Sequence, residues 1–193
     1  IIMSKGVNVN NEFRMYVGPM FGGKTTRMLS QAERYRYQDE DIYFFKPAVD
    51  GRYDQRCIVT HTGIKSEALL VSNGESILKS IIRYSGNKPC VVAVDEAFMI
   101  PGCGDALVKL FKNGNTVLVS SLQLSSDGSP YKETSEMFPY ATYVEVCPAV
   151  DPISKRDAYY TEKYGGRKDH EIEVGGAEMY RPRDWKGFFG EHN

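Results

Sequence analysis

Phe13-Arg14-Met15-Tyr16-Val17 runs directly into Gly18-Pro19-Met20-Phe21-Gly22-Gly23-Lys24-Thr25, and the reading of the whole chain turns on this join. The first five residues form a short β-prone run. The next eight satisfy G-x-x-x-x-G-K-[ST] at every required position. In that pattern glycines let backbone N–H groups turn inward on phosphate oxygens. The lysine, Lys24, reaches the β- and γ-phosphates, and the hydroxyl of Thr25 ligates magnesium. The following stretch, 25–37, puts Met28, Leu29 and Ala32 on one face and Arg27, Glu33 and Arg34 on the other. That spacing predicts an amphipathic helix whose positive N-terminal end faces the phosphates. Strand, loop and helix in this order are the context the motif needs. Gly18, Pro19, Met20, Phe21, Gly22, Gly23, Lys24 and Thr25, with Thr26 beside them, are read as binding ATP and magnesium.

Outward from the loop, strands and helices alternate. Residues 41–46 read as a strand closed by Pro47, and 57–60 and 68–71 as short strands around Thr62-Gly63. Residues 75–84 read as a helix with a cap at Ser72 or Asn73 and with Ile77, Leu78, Ile81 and Ile82 inward. The uninterrupted apolar run Cys90-Val91-Val92-Ala93-Val94 suits a strand covered on both faces. A helix over 105–112, ended by Asn113-Gly114, leads to a second buried strand over 116–121. This alternation predicts an α/β fold, a doubly wound and mainly parallel sheet. After about residue 139 the pattern changes. Residues 142–147, 158–163 and 170–174 read as short antiparallel strands, punctuated by Gly165-Gly166 and Gly175-Gly176. The expected division is therefore an α/β nucleotide-binding core over 12–140 and a small β-rich subdomain with a loop over 141–193.

Composition narrows the partners. The 193 residues carry 24 Lys and Arg against 25 Asp and Glu, a formal net charge of −1, so there is no basic footprint for a nucleic-acid polymer. No apolar run is long enough to span a bilayer, and no secretory signal opens the chain. Cys57, Cys90, Cys103 and Cys147 show no C-x-x-C spacing and read as reduced thiols. The cytosol is the expected compartment.

Asp95-Glu96 directly follows the run ending at Val94. A carboxylate at the tip of a buried strand next to the phosphate-loop strand can hold magnesium, and a second one then lies near the γ-phosphate to take a proton or orient the attacking group. The pair alone does not separate a kinase from an ATPase.

Four segments in order resemble the type II thymidine kinases. Gly18 to Thr25 is similar to that family's GPMFSGKS/T, including the Pro-Met-Phe filling that the general pattern does not require. Lys46-Pro47 with Asp50-Gly51-Arg52-Tyr53 resembles its K-P…D-x-R-Y segment, and His61 and Glu67-Ala68 also fit. Val94-Asp95-Glu96-Ala97 resembles its acidic strand end. Glu173-Val174-Gly175-Gly176-Ala177-Glu178-Met179-Tyr180 is similar to the lasso-like loop that folds over the nucleoside. The resemblance implies transfer of a phosphoryl group from ATP to the 5′-hydroxyl of thymidine or a related pyrimidine deoxynucleoside. Glu96 would be the general base, and Arg52 would stabilise the phosphoryl group in flight. Asp50 and Asp95 would serve the magnesium side with Thr25. The backbone of Glu171, Ile172, Glu173, Val174 and Gly175 would grip the base, with Tyr180, Met20, Met99, Leu122 and Ser126 around it. A homo-oligomer, a tetramer by family analogy, is implied as well. From the residues alone, Arg52-Tyr53 also reads as a solvated turn and Gly175-Gly176 as a plain hairpin turn.

The departures are specific. The family carries a zinc site of two C-x-x-C pairs. Here Cys147 faces Val150 at the partner position, and the second pair would fall near residues 181–186, which hold no cysteine. One thiolate cannot make a four-ligand site, so zinc is expected to be absent. Phe98-Met99 stands where the family has Gln-Phe, and Ser126 aligns with a family aromatic. These changes keep a kinase for a different or modified nucleoside in play, beside an ATPase or nucleotide switch and a non-catalytic binder of deoxynucleotides.

Overall fold

The strands of the core all point the same way, and their order across the sheet places the phosphate loop. The computed structural model describes residues 11–48, 57–59, 65–165 and 175–190. Strand β1 (Phe13–Val17) leads to helix α1 (Lys24–Arg36) and then to β2 (Ile42–Pro47). A small antiparallel pair, β3 (Cys57–Val59) and β4 (Lys65–Glu67), precedes β5 (Leu69–Val71). Helix α2 (Gly74–Ser85), β6 (Val91–Val94), α3 (Cys103–Lys112), β7 (Thr116–Ser121) and α4 (Lys132–Met137) follow, and β8 (Tyr143–Val146) completes a six-stranded sheet. Its order is β5-β2-β6-β7-β1-β8, and every neighbouring pair is parallel. The fold is the α/β sheet with flanking helices that the alternation predicts.

Side-chain alternation explains why the apolar runs are continuous. Phe13, Met15 and Val17 of β1, Val92 and Val94 of β6, and Val117 and Val119 of β7 point to one face. There they meet Ile77 and Ile81 of α2, Leu107 of α3 and Met137 of α4. Tyr16, Val91, Ala93 and Leu118 point to the other, against Met28, Leu29, Ala32 and Tyr35 of α1. A strand with a helix on each side has no wet face, so alternation of polarity has no reason to appear in its sequence. Asn73, the second of the two expected cap residues, takes the Ser76 N–H on its side-chain oxygen at 2.9 Å, and Gly86 closes the helix in the left-handed conformation.

Two expectations are corrected. The strand read over 142–147 is not antiparallel. As β8 it runs parallel to β1, with Tyr16 opposite Glu145, so the main sheet continues past residue 140. Residues 132–137, not expected to be helical, form α4. Beyond the sheet, β9 (Ala149–Val150) pairs antiparallel with β10 (Asp157–Ala158), and β11 (Tyr160–Lys163) with β12 (Tyr180–Arg183); a short helix α5 (Trp185–Phe189) follows. The partner of β11 is thus a segment containing Pro182, tolerated where a two-stranded ribbon leaves one side unpaired. The strand expected over 170–174 lies outside the described residues. Among the described residues no helix is long and apolar enough to cross a membrane.

A buried ionic cluster ties these ribbons together. The Asp151 side chain is fully buried and accepts from the N–H groups of Ile153 (2.7 Å), Ser154 (3.2 Å) and Asp184 (2.9 Å) and from Arg183 Nε (3.2 Å). Arg183 Nη1 also donates to Glu162 at 2.8 Å. Burial alone would raise the Asp151 carboxyl, but the three N–H donors and the Arg183 charge outweigh it and hold it below the usual range. Glu162 is held low in the same way, its burial outweighed by Arg181 and Arg183.

Removing one partner strands the other, so Arg183→Ala is expected to cost about 3–5 kcal/mol in urea unfolding at neutral pH. A double replacement by apolar residues of similar volume should recover part of that. Because both carboxyls titrate below their unfolded values, their stabilisation is present above the ordinary carboxylate range and is lost as the pH falls through the lowered values. Arg183→Ala should flatten that acid limb, and an unchanged limb would contradict the assignment.

Candidate active site

The loop from Gly18 to Thr25 lies between the ends of β1 and α1 and is packed to van der Waals contact on its neighbour. A Cβ on Gly22 would stand 2.5 Å from the carbonyl oxygen of Cys147, and one on Gly18 would meet the same atom. The Cys147 N–H in turn donates to the Val17 carbonyl at 2.7 Å, so the residue just after β8 is fixed against the start of the loop. Gly18 (φ 136°), Phe21 (φ 66°) and Gly23 (φ 72°) all have positive φ. For Phe21 this is a strained state that the surrounding packing must maintain. Pro19 accepts from Lys24 Nζ at 2.6 Å, folding the buried lysine back over the loop. The Met20 N–H is taken by Thr161 Oγ1 of β11 at 3.0 Å, which fastens the β-rich part to the loop. Thr26 follows in the first turn of α1.

Thr25 Oγ1 donates to Asp95 Oδ1 at 2.8 Å. The expectation that the acidic pair sits on the strand adjoining β1 needs correction, because β7 lies between β6 and β1. The two side chains meet nonetheless, since α1 crosses the sheet face over β7 and brings its first turn toward the end of β6. A hydroxyl and a carboxylate oxygen in hydrogen-bond contact beside a phosphate-binding loop are a donor set that suits a hard divalent cation. Glu96 follows in the left-handed conformation, φ 53° and ψ 43°, and opens a tight helical turn over Ala97–Met99. That turn is pinned by the Phe98 N–H on Ser121 Oγ at 3.1 Å, and Ser121 Oγ lies 2.7 Å from Thr134 Oγ1 of α4. A non-glycine residue held at positive φ at the end of a buried strand marks a place where side-chain direction matters more than local comfort.

Beyond Glu96 the surroundings become apolar. Phe98, Met99 and Leu122 form a small buried cluster with Met20 and Tyr131 packed on it. The structure therefore brings together three of the residues expected around a base: Met20, Met99 and Leu122. Tyr131 was not foreseen. Its ring lies 4.7 Å from that of Phe98, where the reading from sequence had an aromatic missing at Ser126. Ser126 itself sits in a tight turn closed by Ser125 and Ser129 and adds no apolar wall. Tyr131 lies five positions beyond Ser126, and only the fold shows that this loop doubles back, with Leu124 bridged to Pro130. Thr161 also carried no signal, being one threonine on an unremarkable strand. Gly175 and Tyr180 flank a turn in which the Tyr180 N–H donates to Gly176 O at 3.0 Å, and Tyr180 is buried at the start of β12. Lys46 and Pro47 end β2 opposite Leu70 and Val71 of β5, just past Phe45, the last residue paired with β6. Asp50, Arg52, Tyr53, His61, Glu171, Ile172, Glu173 and Val174 lie outside the described residues.

The zinc-site position is occupied differently. Burial pushes the Cys147 thiol up, which disfavours the thiolate a metal needs, and its Sγ contacts the Glu145 carbonyl at 3.7 Å. Residues 181–186, where a second ligand pair would fall, carry Arg183 in its ion pair with Asp151. Among the described residues no three His, Cys, Asp or Glu side chains converge as metal ligands. On this chemistry the described residues at these two positions do not fit that group.

A parallel α/β sheet with a phosphate loop after its first strand, and an acidic pair bonded to that loop's threonine, defines a P-loop nucleotide-binding protein. Comparison with known proteins gives the narrower class. The chain belongs to the thymidine kinase family, whose model, described as "Thymidine kinase", matches residues 11–185. It is 34% identical over 173 residues to a thymidine kinase of Pyrobaculum aerophilum, covering 86% of this chain and 92% of that protein. To a thymidine kinase of Thermococcus kodakarensis it is 32% identical over 173 residues, covering 86% and 88%.

Gly22→Ala tests the close approach. The added carbon must push the loop off Cys147, and displacements of that order cost about 100-fold in catalysis. A comparable loss in kcat/KM for ATP is expected; turnover within a few-fold of the parent would show that the loop tolerates the shift.

Proposed function

We propose that the chain transfers the γ-phosphate of ATP to the 5′-hydroxyl of thymidine, giving the monophosphate. The observation that carries this reading is the division of labour at the end of β6. Asp95 turns to Thr25 beside the phosphate loop, and the turn two residues later supplies Phe98 and Met99 to an apolar wall. Glu96 stands between the two. A nucleoside whose base rests on that wall brings its sugar hydroxyl to the Glu96 carboxylate, which accepts the proton as the oxygen attacks. Lys24 spreads the charge that develops on the transferring phosphoryl group. Thr25 and Asp95 hold magnesium, which supplies charge neutralisation at the phosphates when bound. Asp50 serves the same side, and Arg52 stabilises the phosphoryl group between donor and acceptor. By the family resemblance, the backbone of residues 171–174, with Gly175 and Tyr180, would grip the base. Thr161 of β11 fastens the β-rich part to the phosphate loop at Met20.

Cys90, Cys103 and Cys147 are buried and unpaired, which fits the reducing cytosol as the compartment. By analogy with the family the assembly is a homo-oligomer, a tetramer. No zinc and no nucleic-acid polymer enter the reaction.

A coupled assay of ADP release across the common deoxynucleosides tests the substrate. Thymidine should give the largest stimulation. Stimulation by a different nucleoside would reassign the acceptor, and a steady rate indifferent to all of them would make the protein an ATPase. Glu96→Gln should keep both KM values near the parent's and lower kcat on the order of 10²–10⁴-fold, since the amide cannot take the proton. A drop of only a few-fold would remove Glu96 from that role.

A further inference from the structure

The phosphate-loop pattern ends at Thr25, yet a side chain two residues further on reaches back into it. Arg27 Nη1 donates to the Gly22 carbonyl at 2.7 Å, and its Nε pairs with Glu145 Oε1 of β8 at 2.6 Å. A guanidinium is a rigid fork that can hold two acceptors at once, which an ammonium on a flexible stem does poorly. The consequence follows from the planar trans peptide. The carbonyl of Gly22 and the N–H of Gly23 belong to one peptide unit and point in opposite directions. Pulling the carbonyl toward Arg27 turns the Gly23 N–H away from Arg27, into the turn of the loop. Among the described residues no protein carbonyl takes that N–H. The neighbouring Met20 N–H, by contrast, is already bonded to Thr161. The packing leaves little slack, since a Cβ on Gly23 would stand 3.0 Å from Arg27 Nη1.

We infer that Arg27 is a positioning residue for the phosphate loop: steadied by Glu145, it holds the Gly22 carbonyl outward and so keeps the Gly23 N–H aimed at the nucleotide's phosphates. This deepens the proposed function and rests on its assignment of the loop to ATP. The role is orientation and not stability. Both side chains of the pair are about one-third exposed, 38% and 32%, and ion pairs of that exposure contribute little to folding.

Calorimetric titration with ADP and with a non-hydrolysable ATP analogue, both with magnesium, tests this on the full chain. Arg27→Ala should weaken both nucleotides alike, by roughly 10- to 100-fold, as expected for a misdirected donor to a charged acceptor. The thymidine KM should stay near the parent's, and the melting temperature should move by no more than about 4 °C. Arg27→Lys should recover part of the affinity, and Glu145→Ala should show the same pattern more weakly. Parent-like ADP affinity in Arg27→Ala would overturn the inference. So would a loss confined to the ATP analogue, which would make Arg27 a direct contact of the terminal phosphate. A loss that merely follows a large fall in melting temperature would reduce Arg27 to a structural residue. Should Arg27→Ala fail to fold, Arg27→Lys and Glu145→Ala carry the same three outcomes. Because ADP binding needs no acceptor, a parent that binds ADP but phosphorylates no nucleoside would sink the kinase reading and leave this test standing.

Discussion

The approach of the Gly18 and Gly22 backbone to the carbonyl of Cys147, closer than any side chain would permit, is the constraint from which the rest of the site follows. It requires glycine at both places for want of space; at Gly18 the positive φ adds a conformational reason. It also requires a strand on the far side of β1 to supply that carbonyl, which is what β8 does by joining the sheet in parallel. The loop is therefore shaped from outside as much as by its own sequence. Cys147 sets its depth, Thr161 takes one of its amides and Arg27 turns one of its peptides.

From that fixed loop the chemistry extends in one direction along the sheet. Thr25 leaves the loop at the start of α1 and meets Asp95 across the intervening strand β7. Asp95 is anchored by its own N–H on the Phe45 carbonyl of β2 at 2.9 Å, so the carboxylate's position is set by the sheet and not by a mobile loop. The next residue, Glu96, adopts a backbone conformation it would not choose, and the Ser121 hydroxyl holds the following turn in place. Strain at that residue is affordable because β6 is buried on both sides. The result places a polar contact, Asp95 with Thr25, and an apolar cluster around Phe98 and Met99 within five residues of one strand end.

The β-rich part uses charge for cohesion. Asp151 and Arg183 are almost wholly buried, and a buried pair is worth keeping only when its remaining hydrogen-bonding capacity is met. Here three backbone N–H groups and Glu162 meet it. The same cluster joins β9, β11 and β12, and Tyr160 of β11 stacks on Phe188 of α5 at 5.1 Å. Thr161, which grips the phosphate loop, is flanked by Tyr160 and Glu162, so the clamp and the aromatic stack both act on the residue that couples the two parts of the molecule.

The sequence by itself determined the sheet class, the phosphate loop and the acidic pair. Each depends on residues adjacent in the chain: a strand feeding a glycine-rich turn, apolar runs of strand length, a carboxylate pair at a strand end. What it could not determine was everything that depends on residues distant in sequence. Strand 143–146 reads as one of the short antiparallel strands, yet it is the largely exposed edge of the main parallel sheet, and its own sequence does not say which neighbour it pairs with. Tyr131 enters the apolar wall only because the loop after β7 doubles back. Arg183 reads as a solvent-facing charge until Asp151 and Glu162 close around it. Arg27 likewise reads as one more charge on the wet face of a helix, and only the position of Gly22 five residues earlier gives it an acceptor. Local patterns carry local hydrogen bonding and burial. The choice of partner for a charge or a backbone amide is made by packing, and packing is settled only when the whole chain has folded.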